Sequence, residues 1–106
     1  MRIYISGQIT GLDTKVAEEY FEQIENQLKD AGHIPINPMK VLEYHPDHKY
    51  EHYMAEDLKA LCHCDAIFML ENWQNSRGAK IEHGVALGME KMIFYSKNHN
   101  LFKKSE

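Results

Sequence analysis

The sequence predicts an α/β fold, a doubly wound parallel sheet of four to five strands in one domain that spans residues 1–106. Short runs of β-branched and aromatic residues alternate with longer segments whose apolar residues recur every three or four positions. The run at 65–70 is continuously apolar, as in a central strand covered on both faces. Strands that alternate with helices form right-handed βαβ crossovers, which make neighbouring strands parallel.

The first half of the chain predicts two strands around one helix. Residues 2–6 (RIYIS) are typical of a strand, and residues 13–31 have the apolar spacing of an amphipathic helix that stops at Gly32. Residues 33–37 (HIPIN) predict a second, short strand. The polar, His-rich loop that follows, at about 39–49, is long for a small domain, so we expect it to act as a lid.

The second half of the chain predicts two further helices and two further strands. Their order is helix 50–63, strand 65–70, helix 76–89, strand 92–95 and a polar tail at 96–106. The tail has two apolar residues, Leu101 and Phe102, which we expect to dock on the body or on a second subunit.

Composition excludes several classes of protein. Hydrophobic residues make up 43% and charged residues 26% of the chain, which is ordinary for a globular protein. No apolar run approaches the roughly 20 residues of a membrane span, and residues 1–3 enter a strand pattern directly, so we expect no membrane partner and a cytoplasmic protein. The net charge of -4, with scattered basic residues, argues against a nucleic acid polymer as partner.

The histidines and cysteines raise the alternative of a metal site. His45, His48 and His52 have spacings of three and four, and Cys62-His63-Cys64 follows. Pro46 interrupts any helix that would align the histidines, and no Cys-x-x-Cys pair exists. We therefore expect solvated histidines, free thiols, no metal and no cofactor.

Two turns that suit an anion are predicted at the carboxyl ends of the strands, where ligands bind in such sheets. The segment 7–11 (GQITG) has a glycine at each end, which lets backbone N–H groups approach a ligand closely, although an ordinary βα turn fits the residues equally well. Ser76 is a natural N-cap for the next helix, whose free N–H groups favour an anion, although a simple cap explains it too.

Two carboxylates fall on helix faces that should be buried. The helical neighbours of Glu82 are mainly small or apolar, and those of Asp57 are apolar or aromatic. A buried carboxylate costs several kcal/mol unless it is paired or its pKa shifts. Each residue alone has a plain explanation in a polar partner at the rim. As a pair, they suit glycosidic bond cleavage, with one as nucleophile and one as acid-base.

Four segments together resemble the nucleoside 2-deoxyribosyltransferase superfamily. They are GQITG at 7–11, EDL at 56–58, CDAIF at 64–68 and the S-x-G-x-x-x-E-x-G pattern at 76–84. The glycine loop and the last pattern look most like the 2'-deoxynucleoside 5'-phosphate N-hydrolase branch. The INP and ENWQNSRGA stretches are also similar to a small related domain family of unknown function. The resemblance covers residues 1–95.

The resemblance implies a flavodoxin-like (Rossmann-like) sheet, a homodimer with composite sites, and cleavage of an N-glycosidic bond in a small nucleoside or nucleotide. It makes Glu82 the nucleophile at C1' and Asp57 the acid-base. The residues implied to bind the phosphate are Gly7, Gln8, Ile9, Thr10, Gly11, Ser76 and Gly78. Tyr4, Ile9 and Trp73 are implied to lie near the sugar or base. The hydrolase branch has Ser and Arg where this chain has Gln8 and Thr10. Two alternatives stay open: Arg77 compensates, or the ligand is not a nucleoside monophosphate.

Two other functions stay open at this point. A non-catalytic nucleotide-binding or sensing module would use the same cleft without turnover. A purely structural or oligomerisation domain would use Trp73, Leu101 and Phe102 as interface groups, but it leaves both buried carboxylates unexplained.

Overall fold

A computed structural model describes residues 1–41 and 49–102 of the chain. The elements, in order, are β1 Arg2–Ser6, α1 Thr14–Asp30, β2 Ile34–Ile36, a 3-10 turn Pro38–Lys40, α2 Tyr50–Cys62, β3 Ala66–Met69, a 3-10 turn Trp73–Asn75, α3 Arg77–Gly88 and β4 Met92–Tyr95. The predicted fold class is confirmed, with each predicted helix and strand present. The predicted lid falls mainly on residues 42–48, which lie outside the described residues.

The four strands form one parallel sheet in the order β2-β1-β3-β4. The chain therefore winds first to one side of β1 and then to the other, which makes the gap between β1 and β3 the topological switch point. At this gap Ser6 pairs in register with Met69, which in turn lies beside Tyr95 of β4. The carboxyl ends of three strands therefore meet in one row at the edge where ligands are expected.

Alternation along β1 divides its side chains between two apolar layers. Ile3 and Ile5 pack in the cluster that holds the α1 residues Phe21 and Leu28. Tyr4 packs in a second cluster, with residues of α2 and α3. Since successive side chains of a strand point to opposite faces, Ser6 lies on the same face as Tyr4.

The tail docks on the body of the same chain as far as residue 102. Leu101 is buried in the α1-side cluster, and Phe102 packs against that cluster and the ring of Phe68. The fifth strand is absent from the described residues, where Tyr95 and Asn98 form only an isolated antiparallel bridge. None of the described helices is long and apolar enough to cross a membrane.

Local contacts fix the ends of the elements that flank the sheet edge. Asp13 caps α1 by accepting hydrogen bonds from the backbone N–H groups of Lys15 and Val16 in the first turn. Buried Glu25 accepts a 2.8 Å bond from Lys40 Nζ and a 3.3 Å bond from Asn37 Nδ2. These contacts hold the turn after β2 against α1, which keeps the carboxyl end of β2 in line with its neighbours.

Candidate active site

Glu82 lies on the buried face of α3, where helical spacing predicts it, and is only 5% exposed. Its two carboxylate oxygens have separate partners on β1. The hydroxyl of Tyr4 donates to Oε2 at 2.5 Å, and the hydroxyl of Ser6 donates to Oε1 at 2.7 Å. Both donors are themselves fully buried. The side chain is therefore anchored to the sheet at both oxygens, with charge-assisted hydrogen bonds that fix its plane.

The environment of Glu82 acts on its pKa in two opposite directions. Burial raises the pKa to about 7, and the hydrogen bonds from Tyr4 and Ser6 oppose this rise because they stabilise the carboxylate. Burial and the nearby charges of Glu82 and Asp57 also raise the pKa of Tyr4 well above its usual value. Tyr4 therefore remains protonated and serves as a donor across the pH range in which Glu82 ionises.

Asp57 of α2 is the second carboxylate of the site and is half-buried. Burial raises its pKa to about 7, and the negative charges of Glu82 and Glu56 raise it in the same direction. Its acidic neighbours disfavour its ionised form, whereas Glu82 has two hydroxyl donors that favour ionisation. The two carboxyl groups therefore titrate near pH 7 as a coupled pair, in which the hydrogen bonds favour the charge on Glu82 and the acidic neighbours favour the proton on Asp57.

The glycine loop after β1 approaches the end of β3 closely. A Cβ on Gly7 would lie 2.6 Å from Cδ1 of Leu70, so only glycine fits there without displacing the core. The backbone N–H of Gln8 donates to Oδ1 of Asn72 at 3.0 Å. This bond spans the switch point and ties the loop after β1 to the loop after β3.

The rest of the loop is held by its own contacts and by the α1-side cluster. Gln8 turns its side-chain amide onto the carbonyl of Thr10 at 3.1 Å, and Gly11 takes a φ of +90° that favours glycine. Ile9 packs against the α1-side cluster, on the sheet face opposite Glu82. The described structure therefore does not bring Ile9 beside Glu82, because the loop continues the alternation of β1.

The N-terminus of α3 lies beside the N-terminus of α2. Ser76 caps α3, with its Oγ accepting the N–H of Ala79 at 3.1 Å. A Cβ on Gly78 would lie 3.2 Å from the hydroxyl of Tyr50, and the guanidinium of Arg77 stacks 4.6 Å over the Tyr50 ring. The first N–H groups of a helix lack partners within the helix, so this point offers donors and one cation to a ligand.

Trp73 belongs to an aromatic cluster at the other side of the site. Its ring stacks on that of His83 with centroids 4.4 Å apart, and Nε2 of His83 lies 2.8 Å from the hydroxyl of Tyr95. An open cavity of about 430 Å³ adjoins this cluster at the ends of β3 and β4. Its lining residues are Met69, Leu70, Glu71, Trp73, Gln74, Tyr95, Ser96 and Lys97. Met69, which lines the cavity, pairs in register with Ser6, the serine that contacts Glu82.

A family match covers residues 1–95, and its description is DUF4406, a domain of unknown function. The chain belongs to this family. A comparison of the DUF4406 chain with curated proteins finds no match.

Two solved structures share the fold of this DUF4406 chain. A 2-deoxyribosyltransferase from Leishmania mexicana is 19% identical with a TM-score of 0.68, and the match covers 89% of this chain and 62% of that chain. A 2-deoxyribosyltransferase from the psychrotolerant bacterium Bacillus psychrosaccharolyticus is also 19% identical, with a TM-score of 0.70 and coverage of 95% and 78%. The DUF4406 chain therefore spans less than two thirds of the first protein. The predicted resemblance to the nucleoside 2-deoxyribosyltransferase superfamily and the predicted Rossmann-like architecture are confirmed at the level of the fold.

The site of the DUF4406 chain contains residues that sequence reasoning missed. Ser6 follows Tyr4 by two positions on a strand, so the alternation of β1 was a usable signal for its place on the face of Glu82. Asn72, His83 and Tyr95 had no such signal, because their contacts join segments that are distant in sequence or depend on how α3 packs.

The metal alternative finds no support in the part of the DUF4406 chain that the structure describes. Among residues 1–41 and 49–102, no group of three or more His, Cys, Asp or Glu side chains is arranged to hold a metal ion. His45 and His48 lie outside these ranges. Cys62 and Cys64 are both free thiols, one exposed and one buried.

Proposed function

We propose that this DUF4406 domain cleaves the N-glycosidic bond of a small (deoxy)nucleoside or nucleoside 5'-monophosphate, by hydrolysis or by transfer to a second base. Glu82 is the proposed nucleophile and Asp57 the proposed acid-base. One observation carries the proposal: a buried carboxylate, held by two hydroxyls, faces a second carboxylate whose pKa is raised to about 7. Glycosidic cleavage needs one ionised and one protonated carboxyl group, and two carboxyl groups that share a site and titrate near pH 7 can supply that pairing.

The first step forms a bond between a carboxylate oxygen of Glu82 and C1' of the sugar. The C1'–N bond breaks, its electron pair stays on the nitrogen of the base, and Asp57 supplies the proton that neutralises the base. In the second step Asp57 accepts a proton from water or from an incoming base, whose free lone pair forms the new bond to C1'. The bond between C1' and Glu82 then breaks, and its electron pair returns to the carboxylate.

The contacts at the sheet edge suggest how a substrate would lie. Asp57 must adjoin the leaving base, so the base belongs on the α2 side of Glu82. We place the far end of the sugar at the adjacent N-termini of α2 and α3, where free helix N–H groups and the guanidinium of Arg77 can hold a phosphate or hydroxyl. Both structural neighbours are 2-deoxyribosyltransferases, which agrees with a deoxyribosyl substrate.

A second candidate function is a nucleotide-binding or sensing module without turnover. Glu82 is nearly inaccessible, and neither carboxylate is among the residues that line the 430 Å³ cavity. A ligand held in that cavity by Trp73 and its neighbours would bind without contacting the carboxylates. The two functions differ in one measurable way, which is the release of free base.

The experiment is to incubate the protein with a panel of nucleosides, 2'-deoxynucleosides and their 5'-monophosphates, with and without a second free base, and to follow the bases by chromatography. We expect base release or exchange for at least one substrate class. Glu82→Gln should abolish it, and Glu19→Gln, at an exposed position of α1, should not change it. Binding without base release from any substrate would overturn the enzyme proposal and leave the binding module.

The outer face of α3 supports a homodimer as part of this proposal. Ile81 and Leu87 are exposed on this helix, Leu87 at 57%. Gly84 and Gly88 lie in the same helix, and a Cβ on either would meet nothing within 4 Å. A glycine within a helix, such as Gly84, costs about 1 kcal/mol relative to alanine, and a second helix packed closely on this face would explain it. Sedimentation of the wild type and of Leu87→Glu tests this, since only the wild type should dimerise.

A further inference from the structure

We infer that Ser6 is a positioning residue for Glu82, an inference that rests on the proposed function. Ser6 selects Oε1 of Glu82 as the attacking oxygen and stabilises that oxygen when it leaves C1'. The two oxygens of the Glu82 carboxylate accept hydrogen bonds from two different donors, Ser6 and Tyr4. Ser6 Oγ bonds Oε1 at 2.7 Å, and Tyr4 Oη bonds Oε2 at 2.5 Å. The two oxygens therefore have different surroundings, so they have different roles in a reaction that uses only one of them.

Position along β1 distinguishes the two oxygens. Ser6 is the last residue of β1, whereas Tyr4 lies two residues, or about 7 Å, further inside the sheet. Ligands in parallel α/β sheets bind outside the carboxyl ends of the strands. We therefore place Oε1, which Ser6 holds, on the ligand side of the carboxylate, and Oε2 is the oxygen that Tyr4 holds. Attack from Oε1 brings the sugar to the strand end without moving Tyr4.

The backbone around Ser6 is held firmly enough for its hydroxyl to keep one position. Ser6 is fully buried, and its carbonyl accepts the N–H of Leu70 at 2.8 Å. The following residue, Gly7, lies so close to Leu70 that a Cβ on it would be 2.6 Å from Cδ1 of that side chain. The serine hydroxyl is therefore fixed by the sheet and does not depend on a mobile loop, as a preorganised donor requires.

The hydrogen bond from Ser6 has opposite effects on the two steps. While Oε1 forms its bond to C1', it loses negative charge, so the bond from Ser6 weakens and slightly opposes attack. In the second step the C1'–Oε1 bond breaks, the electron pair returns to Oε1, and Ser6 donates to the charge that reappears there. A hydrogen bond to a charged group is worth about 10- to 100-fold in rate when it forms during a step. Loss of the Ser6 hydroxyl should therefore slow the second step far more than the first.

The test is a rapid-quench measurement with Ser6→Ala and a 2'-deoxynucleoside that the wild type cleaves. We expect a burst of one base per site, followed by turnover about 10- to 100-fold slower than that of the wild type. Intact-protein mass spectrometry should show the variant heavier by one deoxyribosyl group on Glu82. Ser6→Thr, which keeps the hydroxyl, should restore turnover and remove the burst.

Each outcome bears on a different claim. Uniform slowing of Ser6→Ala without a burst, or a burst that Ser6→Thr does not remove, would overturn the role of Ser6 while base release by the wild type still supports the proposed function. No base release by the wild type would overturn the proposed function instead, and the inference with it. Should Ser6→Ala fold poorly, the Ser6→Cys variant, which keeps a side chain of similar size with a weaker donor, should show a smaller burst of the same kind.

Discussion

The phenol of Tyr4 donates a 2.5 Å hydrogen bond to Oε2 of Glu82, although the two residues are 78 positions apart in the chain. This bond joins Tyr4, whose side chain lies on one face of the sheet, to the buried face of α3. A carboxylate on a helix is thereby held at the sheet, next to the strand ends. This contact and the other contacts around Glu82 have measurable consequences.

Removal of the Tyr4 hydroxyl should raise the pKa of Glu82 further. Tyr4→Phe keeps the ring in the core but removes one of the two donors that stabilise the carboxylate. We expect the acid limb of the pH–rate profile to move upward from about 7, and the kcat/KM for base release below pH 7 to fall by about 10- to 100-fold. Measurement of kcat/KM between pH 5 and 9 checks this.

Tyr20→Phe is the matched control for the loss of a tyrosine hydroxyl. The Tyr20 hydroxyl accepts a long 3.4 Å bond from the N–H of Glu71, and Tyr20 packs against the cluster on the side of the sheet away from Glu82. Its loss should leave the acid limb in place. An equal shift in both variants would mean that Tyr4 affects the rate through packing and not through its hydrogen bond.

Stability should depend on pH through the buried carboxyl group of Glu82. Its pKa rises from 4.5 to about 7 on folding, so the unfolded chain ionises first as the pH increases. Its stabilising effect is therefore fully present below about pH 4.5 and is lost as the pH rises through about 7. Glu82→Gln has no such group, so the free energy of unfolding of the wild type should fall by about 3 kcal/mol relative to that of the variant over this range.

Urea unfolding of both proteins at pH 4.5, 6 and 8 measures this difference. Glu82→Gln should be the more stable protein at pH 8, because functional charges buried in a site commonly reduce stability. Parallel stability curves for the two proteins would show that Glu82 is not buried as an ionisable group. Asp57 titrates in the same direction, so the difference between the proteins, and not the absolute slope, is the quantity to compare.

The role of Asp57 as a proton donor predicts a dependence on the leaving base. Asp57→Asn cannot protonate the base, so cleavage of an ordinary purine nucleoside should slow by about 10²- to 10⁴-fold. An N7-methylated purine nucleoside already has a cationic base and needs no proton, so the loss there should be much smaller. An equal loss for both substrates would contradict the acid role.

The pH dependence of kcat/KM gives a second test of the role of Asp57. Activity requires Asp57 to be protonated for the first step, so kcat/KM should decline as the pH rises through about 7. Glu56→Gln removes a neighbouring negative charge that raises the pKa of Asp57, and should therefore move this decline to lower pH. Asp57→Asn should remove the decline altogether.

Two glycine substitutions should have opposite effects on stability. Gly7→Ala would place a Cβ 2.6 Å from Leu70, so we expect destabilisation by about 1–3 kcal/mol from overpacking. Gly84→Ala adds a methyl group in open space within a helix and should stabilise the monomer by up to about 1 kcal/mol. Thermal unfolding of both variants at low protein concentration compares them, and a stable Gly7→Ala protein would refute the close packing of the glycine loop on β3.

Local pattern was sufficient to predict the elements of this protein and the placement of its two carboxylates. Apolar spacing of two or of three to four residues reports directly which face of a strand or helix is buried, since that spacing follows from the geometry of the backbone. Hence Glu82 on the inner face of α3, Asp57 on α2 and the cap at Ser76 were predictable from neighbours within one helix. The parallel sheet followed from the alternation of strands and helices.

Only the tertiary structure decided which groups meet. The contacts of Glu82 with Tyr4 and Ser6 join residues 78 and 76 positions apart and depend on strand order, register and the packing of α3. The same packing turns Ile9 to the opposite face of the sheet from Glu82 and brings Trp73 onto His83. Sequence periodicity assigns a residue to a face, but it contains no information on what faces it across the core, because that partner is selected by the assembly of the whole sheet.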